Sequence, residues 1–163
     1  MKKTVTLVGS LALVSVLIGA VPVGAQARAG GSDEIAALGD RMVGTWEGQG
    51  SRHVFEWGVG RRVVKSRSFF PEGDDWVLVS EGWWYWDPAV EAIRGKLIAI
   101  DMPGELFEYT TRVGEHEIVH DLVLHGDMGG TFIERWVFEE DGYTWSLEQD
   151  GERLMGGAYT RVH

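Results

Sequence analysis

The most constraining feature of the sequence is a series of short turn-forming clusters that begins after Gly44 and recurs every 8 to 14 residues. Glycine tolerates positive φ, and Asp and Pro favour the corners of tight turns, so each cluster is expected to separate two strands. Between the clusters, apolar and polar residues alternate with the period of a strand that has one buried face. The clusters are Gly58-Val59-Gly60, Pro71-Glu72-Gly73-Asp74, Asp87-Pro88, Met102-Pro103-Gly104, Gly114-Glu115, Gly126-Asp127-Met128-Gly129-Gly130, Asp141-Gly142 and Asp150-Gly151.

Together with a further break at Gly50-Ser51, these clusters divide the chain into about ten short strands. Consecutive strands joined by tight turns form an up-and-down antiparallel meander, which exposes two sheet edges unless its first and last strands pair. We therefore predict an all-β fold, a closed antiparallel barrel of about ten strands with room inside for a small molecule. A two-sheet sandwich with a filled core is the alternative, and the lack of a long crossover connection makes it the less favoured one.

One short helix is predicted before the first strand. Ile35, Leu38 and Met42 recur at the spacing of one helical face, and Ser32 or Asp33 can cap the amino end. We expect a single barrel domain over residues 33–163, preceded by a flexible tether at 28–32.

Residues 1–27 have the three parts of a secretory signal peptide. Met1-Lys2-Lys3 is basic, Val5 to Val21 is apolar apart from small and hydroxyl residues, and Ala25-Gln26-Ala27 is a small-x-small cleavage site. An uncleaved membrane anchor is the alternative, but Pro22 and Gly24 interrupt the apolar run just before that site. We expect an exported bacterial protein, periplasmic or secreted.

The composition excludes several classes of function. The sequence contains no Cys, which excludes a disulfide framework, a thiol nucleophile and the lipid anchor of a lipoprotein. With 15 Lys and Arg against 25 Asp and Glu, it has no basic surplus for binding nucleic acid. No second long apolar stretch follows residue 27, so we expect no membrane span in the mature chain. All eight Trp lie beyond residue 27 and must line a core or a cavity.

The tight turns predict which side chains face the interior. If Gly114-Glu115 is a type II′ turn, Val113 pairs with His116, Arg112 pairs with Glu117, and Tyr109 lies opposite His120. The apolar face then points inward and carries Phe107, Tyr109, Thr111 and Val113 on one strand and His116, Ile118, His120, Leu122 and Leu124 on the next.

The same argument applies to Asp141-Gly142 and Asp150-Gly151, which predict type I′ turns. These turns pair Phe138 with Trp145, Trp136 with Leu147, Leu147 with Leu154, and Glu148 with Arg153 on the outside. The inner face then carries Trp136, Phe138, Tyr143, Trp145, Leu147 and Leu154, with Glu134 among them.

An aromatic interior with few polar groups is typical of a site for a small apolar or amphipathic ligand. We expect the apolar part of the ligand to contact Trp136, Trp145, Phe107 and Phe138, while Tyr109 and His120 orient its polar end. The alternative is a filled core in which Tyr109 and His120 satisfy each other.

The segment that joins the helix to the first strand carries a recognisable motif. Gly44-Thr45-Trp46 resembles the G-x-W motif of lipocalin and calycin barrels, and the longer run to Gly50 is similar to the start of nitrobindin-like domains and of uncharacterised calycin families. The resemblance implies that Trp46 plugs one end of the barrel and that Arg161, near the end of the last strand, packs across it. On this reading Gly44, Trp46 and Arg161 are structural residues.

The resemblance to nitrobindin-like domains also implies haem, bound through a His near the start of the final strand. The corresponding stretch, Leu154-Met155-Gly156-Gly157, contains no His, and His163 comes too late. We therefore expect no cofactor; the alternative is an enzyme, haem-binding or of the isomerase type, in which His120 serves as axial ligand or base.

Other chemistry finds little support in the sequence. His116 and His120 are four residues apart along a strand, about 13 Å, too far to share a metal ion. No G-x-S-x-G turn is present for a nucleophilic Ser. We expect neither a metal site nor catalytic residues, and favour a binding protein.

Four consecutive aromatic residues, Trp83-Trp84-Tyr85-Trp86, must point alternately to the two faces of a strand. Some of this aromatic area is therefore expected outside the barrel. A belt that covers the wall beneath a loop is the simpler interpretation. The functional one is a surface at this rim that binds a protein partner or stacks on a sugar. A protein partner here would make the chain a non-catalytic interaction module of the cell envelope.

Overall fold

The computed structural model describes residues 30–100, 106–126 and 129–163. One helix, α1 (Gly30–Met42), precedes ten strands, and a short 3-10 turn at Val59–Arg61 separates the second strand from the third. The strands are β1 (Gly44–Gly48), β2 (Ser51–Trp57), β3 (Val63–Glu72), β4 (Asp75–Asp87), β5 (Ala92–Ala99), β6 (Leu106–Val113), β7 (Glu117–His125), β8 (Gly130–Phe138), β9 (Gly142–Gln149) and β10 (Glu152–Val162).

The ten strands close into a single antiparallel barrel. Each strand pairs with its neighbours in the chain, and β1 pairs with both β2 and β10, so the first and last strands meet. At this seam Trp46 lies opposite Arg161 and Thr45 opposite Val162. The predicted all-β barrel is confirmed, and the closed ten-stranded form is consistent with a calycin-like fold.

Alternation along the strands separates the interior from the surface. In β6, the buried residues Phe107, Tyr109 and Thr111 are separated by the less buried Glu108 and Thr110. A strand sends successive side chains to opposite faces, so this pattern places one apolar set inside the barrel and the charged set outside. The interior is largely aromatic, and its rings contact one another from Trp46 at one end to Tyr109 and Trp84 further along.

Two of the predicted hairpin registers were wrong by two residues. Gly114 N–H donates to Glu117 O at 2.8 Å, and Val113 therefore pairs with Ile118 rather than with His116. Tyr109 consequently lies opposite Leu122, and His120 lies opposite Thr111. The error has a simple cause: the two-residue turn is formed by Glu115-His116, one residue further along the chain than the predicted Gly114-Glu115.

The charge pairs outside this hairpin differ from the prediction for the same reason. Arg112 forms its ion pair with Asp121 instead of Glu117. Glu117 pairs with Arg135 on β8 at 2.6 Å.

The β8–β9 turn is also displaced by one residue, from Asp141-Gly142 to Glu140-Asp141. Glu139 N–H donates to Gly142 O at 2.9 Å, so Phe138 pairs with Tyr143 and Trp136 with Trp145. Both shifts are even, and side chains alternate with a period of two, so the inward face stays inward. His116 is the exception, because it lies in the turn and its side chain is 79% exposed.

The third hairpin has the predicted turn but an unexpected irregularity after it. Asp150 and Gly151 both have positive φ, 53° and 82°, and Glu148 pairs with Arg153 as expected. The register then shifts between Arg153 and Met155, so Met155 instead of Leu154 lies opposite Leu147. Leu154 is 52% exposed, and its predicted place on the inner face was wrong because a bulge moves one residue out of the alternation.

Helix α1 packs against the ends of β2 to β6. Its predicted apolar face is confirmed, since Ile35, Leu38 and Met42 are all at most 2% exposed. Gly39 lets the indole of Trp57 approach closely, because a Cβ at this position would lie 2.0 Å from the ring. Within the described residues no helix has the length and hydropathy needed to cross a membrane.

The helix begins at Gly30, so residues 30–32, predicted as part of the tether, belong to α1. The rest of the tether and the predicted signal peptide at residues 1–27 lie outside the described residues.

A Trp–Arg pair joins the helix to the barrel seam. The Arg161 guanidinium lies 4.2 Å from the centre of the Trp46 ring, which is the contact implied by the resemblance. Arg161 also donates to Val43 O at 3.0 Å and to Arg41 O at 3.2 Å, and Trp46 Nε1 donates to Met42 O at 2.8 Å. These three carbonyls end the helix and would otherwise lack partners, so the pair caps α1 and closes this end of the barrel.

Replacing Arg161 with Ala is expected to lower the free energy of unfolding by about 2–4 kcal/mol, because it removes two charged hydrogen bonds and a cation–π contact. Urea unfolding followed by tryptophan fluorescence measures the change. Arg153→Ala, an exposed Arg of the same strand, should change stability by less than about 0.5 kcal/mol. Equal effects of the two substitutions would contradict a specific capping role for Arg161.

Candidate functional site

The barrel encloses a cavity of about 190 Å³. Its lining reaches the end of the barrel opposite α1 at Phe70, which is 42% exposed. The apolar part of the lining includes Phe55, Trp84, Phe107, Trp136, Trp145 and Leu147. The polar part includes Ser51, His53, Ser66, Ser68, Ser80 and Glu134, together with the hydroxyl-bearing Tyr109 and Tyr159.

Four of the six residues predicted to bind a ligand line this cavity: Tyr109, Trp136, Trp145 and Phe107. Phe138 does not line it; its ring packs edge-on against Trp46, 6.1 Å between centres, at the closed end of the barrel. His120 also lies outside the lining formed by the described residues. Four of the six predicted ligand-binding residues therefore line the cavity, and Phe138 and His120 belong to the packed layer beneath it.

His120 is enclosed by other side chains. It is 0% exposed, and its ring makes edge contacts with Tyr109 and Trp136 at 5.3 and 5.1 Å between centres. Nδ1 shares a hydrogen bond of 2.8 Å with Thr111 Oγ1, and Nε2 has no partner among the described residues. Burial lowers the pKa of His120 to about 3, so the ring is neutral at physiological pH.

Glu134 is the acidic group of the lumen. It lies on β8 between His120 of β7 and Leu147 of β9, and its Oε1 accepts a hydrogen bond of 2.9 Å from Trp136 Nε1. Burial raises the pKa of Glu134 to about 7, and the bond from Trp136 opposes this only in part. None of the ion pairs formed by the described residues includes Glu134, so its charge is not compensated by the protein.

A row of serines faces Glu134 from the other side of the lumen. β3 and β8 are separated by four strands in either direction around the barrel, so Ser66 and Ser68 of β3 lie across the cavity from Glu134. Ser80 of β4 pairs directly with Ser68. The Ser66 hydroxyl is buried and has no hydrogen-bond partner among the described residues.

The sequence contained a signal for these serines that our prediction did not use. In Lys65-Ser66-Arg67-Ser68 the charged residues alternate with the serines, and charges must face water on a barrel wall. Arg67 does so and pairs with Glu56 at 2.7 Å. The serines are therefore forced inward, although their polarity alone favours an outward placement.

His53 belongs to a polar network on the wall formed by β1, β2, β9 and β10. Its Nδ1 lies 2.9 Å from the Tyr143 hydroxyl, and its ring stacks on Tyr159 at 4.4 Å between centres. The Tyr159 hydroxyl in turn lies 2.9 Å from Ser51 Oγ. Burial lowers the pKa of His53 to about 4, so this His is also neutral at physiological pH.

The residues present do not fit haem. The His120 ring is enclosed, its Nδ1 is bonded to Thr111, and neither nitrogen has access to the cavity. A cavity of about 190 Å³ is close in size to one of roughly 150 Å³ that accommodates benzene, whereas the haem macrocycle is many times larger than benzene. In the described part of the chain, no group of three or more His, Asp and Glu is arranged to hold a metal ion.

Two of the four consecutive aromatic residues from Trp83 to Trp86 pack inside the structure. Trp84 is 1% exposed and lines the cavity, and Trp86 packs against Gly31 of the helix. Trp83 faces outward and is 40% exposed. The outward aromatic area predicted from the sequence is therefore centred on one indole, and a protein partner at this rim stays a prediction.

Comparison of the chain with models of known protein families and with curated protein sequences finds no match.

Glu134→Gln is expected to stabilise the protein at high pH. The folded state keeps the Glu134 proton between about pH 4.5 and pH 7, where the unfolded chain has lost it, so this group makes stability fall as pH rises through that window. The variant should therefore be more stable than the wild type at pH 8, by on the order of 3 kcal/mol, and equally stable at pH 4.

Urea unfolding at pH 4, 6 and 8 measures this difference. The opposite contributions of His53 and His120 are present in both proteins and cancel. Glu140→Gln, which removes the same charge from an exposed turn, is the control and should show no such pH dependence. A constant difference between wild type and Glu134→Gln at all three pH values would contradict a buried, uncompensated carboxyl.

Proposed function

We propose that the barrel binds a small, mainly apolar ligand in its lumen. The observation that carries the proposal is the cavity of about 190 Å³, whose aromatic walls carry a few polar groups without protein partners. Binding sites for small molecules have this composition: apolar walls supply the affinity, and a few polar groups orient the ligand.

The volume limits the ligand to about the size of one aromatic ring with a short substituent. An apolar cavity of roughly 150 Å³ accommodates benzene, and the lumen is slightly larger. A long acyl chain or a multi-ring pigment exceeds this space.

Unpartnered polar groups make the cavity a better candidate for binding than for a core that is only loosely packed. Ser66 Oγ and Trp145 Nε1 are both buried without a partner among the described residues, and both residues line the cavity. A buried unsatisfied polar group costs about 1–3 kcal/mol. A ligand that reaches these atoms recovers part of that free energy, which supports binding at this position.

The enzyme alternative has less support. It required His120 as a base or a haem ligand, but this ring is outside the cavity lining and neutral. Export of the protein stays a prediction from residues 1–27. If it is correct, the ligand is taken up outside the cytoplasm.

Filling the cavity is expected to abolish binding. Ala99 lines the lumen and is 3% exposed, so the ring of Ala99→Phe would occupy most of the space that a ligand needs. The neighbouring Ile98 points outward and is 52% exposed, which makes Ile98→Phe the matched control. Tryptophan fluorescence, titrated with ring-sized ligands, should respond in the wild type and the control and should be unchanged in Ala99→Phe.

Native mass spectrometry of protein purified from its own host tests the same proposal without a chosen ligand. A bound molecule of low mass is expected in the wild type and in Ile98→Phe but not in Ala99→Phe. Equal binding by all three proteins would place the ligand elsewhere and overturn the proposal.

A further inference from the structure

The lumen has a marked imbalance of charge. Glu134 is the one carboxylate side chain of the described cavity lining, and that lining contains no Lys or Arg. His53 lines the cavity and His120 lies next to Glu134, but burial keeps both rings neutral. Along the described lining, a ligand therefore meets one potential negative charge and no positive charge.

We propose that the ligand is a small protonated amine attached to an apolar body about the size of one ring, with its ammonium group bound at Glu134. This inference rests on the proposed function, since it specifies the ligand of the same cavity. The ammonium group is the positively charged partner that the Glu134 carboxylate lacks among the described residues. The two groups form a charge-assisted hydrogen bond.

Aromatic rings around Glu134 add a second interaction with a cation. Trp136 donates its indole N–H to Glu134, so the two side chains are in contact. Trp136 stacks on Tyr143 at 5.3 Å between ring centres, and the charge of Glu134 acts on Tyr109, Tyr143 and Tyr159. A cation held at Glu134 therefore lies among electron-rich aromatic rings, and such rings attract cations.

The same charges exclude fatty acids and aromatic acids. An anionic carboxylate would enter a lumen whose described lining has no Lys or Arg and already contains Glu134. Burying an unpaired charge is highly unfavourable, and two like charges in one small cavity are more so. A neutral ligand would not be repelled, but it would leave the negative charge of Glu134 without a positively charged partner.

The opposite wall suggests where the rest of the ligand lies. Ser66 and Ser68 face Glu134 across the lumen, and the Ser66 hydroxyl has no protein partner in the described chain. An amine with a hydroxyl at the far end of its ring would satisfy both walls at once. The apolar rings between them would hold the body of the ligand.

The affinity for an amine should depend on pH through Glu134. The ionisable groups that face it are His120 on β7, Tyr109 on β6, Tyr143 on β9, Tyr159 on β10 and His53 on β2. Burial lowers the pKa of both His and raises the pKa of all three Tyr, so Glu134 alone among these groups titrates between pH 5.5 and pH 8. A simple alkylamine stays protonated over this range.

Three ligands of nearly the same shape test the proposal by isothermal titration calorimetry: 2-phenylethylamine, 2-phenylethanol and phenylacetate. At pH 8 the amine should bind the wild type about tenfold or more tightly than the alcohol, and phenylacetate should not bind. In Glu134→Gln, the amine should fall to the affinity of the alcohol. Glu140→Gln removes the same charge from an exposed turn and should leave all three affinities unchanged.

The wild type provides a test that does not depend on a variant that folds. Lowering the pH from 8 to 5.5 should weaken the binding of the amine and leave the binding of the alcohol unchanged. Equal affinity for amine and alcohol, unaffected by pH and by Glu134→Gln, would overturn this inference while leaving the proposed function in place. If none of the three ligands binds, and Ala99→Phe carries the same bound molecule as the wild type in native mass spectrometry, both are overturned.

Discussion

The structure depends on the pairing of its first and last strands. An open ten-stranded meander would expose two edges and one apolar face, and pairing of β1 with β10 removes both edges at once. Trp46 and Arg161 lie opposite each other at this seam and also bind the last carbonyls of α1. The same pair therefore closes the sheet and caps the helix. A closed barrel of ten strands is wide enough to leave space inside, and the cavity exists because the barrel is closed.

Burial inside the barrel determines which of its ionisable groups carry charge. Burial favours the neutral form of any ionisable side chain, and it acts in opposite directions on acids and bases. His53 and His120 lose their protons well below neutral pH, while Glu134 keeps its proton to about pH 7. Among the described lining residues, the lumen thus carries only the negative charge of Glu134, and this charge develops as the pH rises through about 7.

The strand order and the inward face could be predicted from the sequence because both depend on alternation, which single residues report directly. The exact register could not, since the turn lies at Glu115-His116, and the alternation of the flanking strands does not distinguish this position from the predicted Gly114-Glu115. Aromatic lining residues such as Trp136 were found because large rings must be buried. Ser66 and Ser68 were missed because the polarity of serine favours an outward placement, whereas the alternation with Lys65 and Arg67 turns both serines inward. His120 was misplaced because the sequence does not report depth along the barrel axis.

The bulge at Leu154 has a consequence for how such a wall can change during evolution. In both misjudged hairpins the turn lies one residue from its expected place, which shifts the register by two residues, and the inward-facing set is the same in either version apart from His116. At Leu154 a single extra residue turns an apolar side chain out to solvent. A loop of this barrel can therefore gain or lose two residues at a time, and the same side chains still face the lumen. An insertion of an odd number of residues turns the lumen-facing side chains of the strand to the surface and the surface side chains to the lumen, unless a compensating bulge follows.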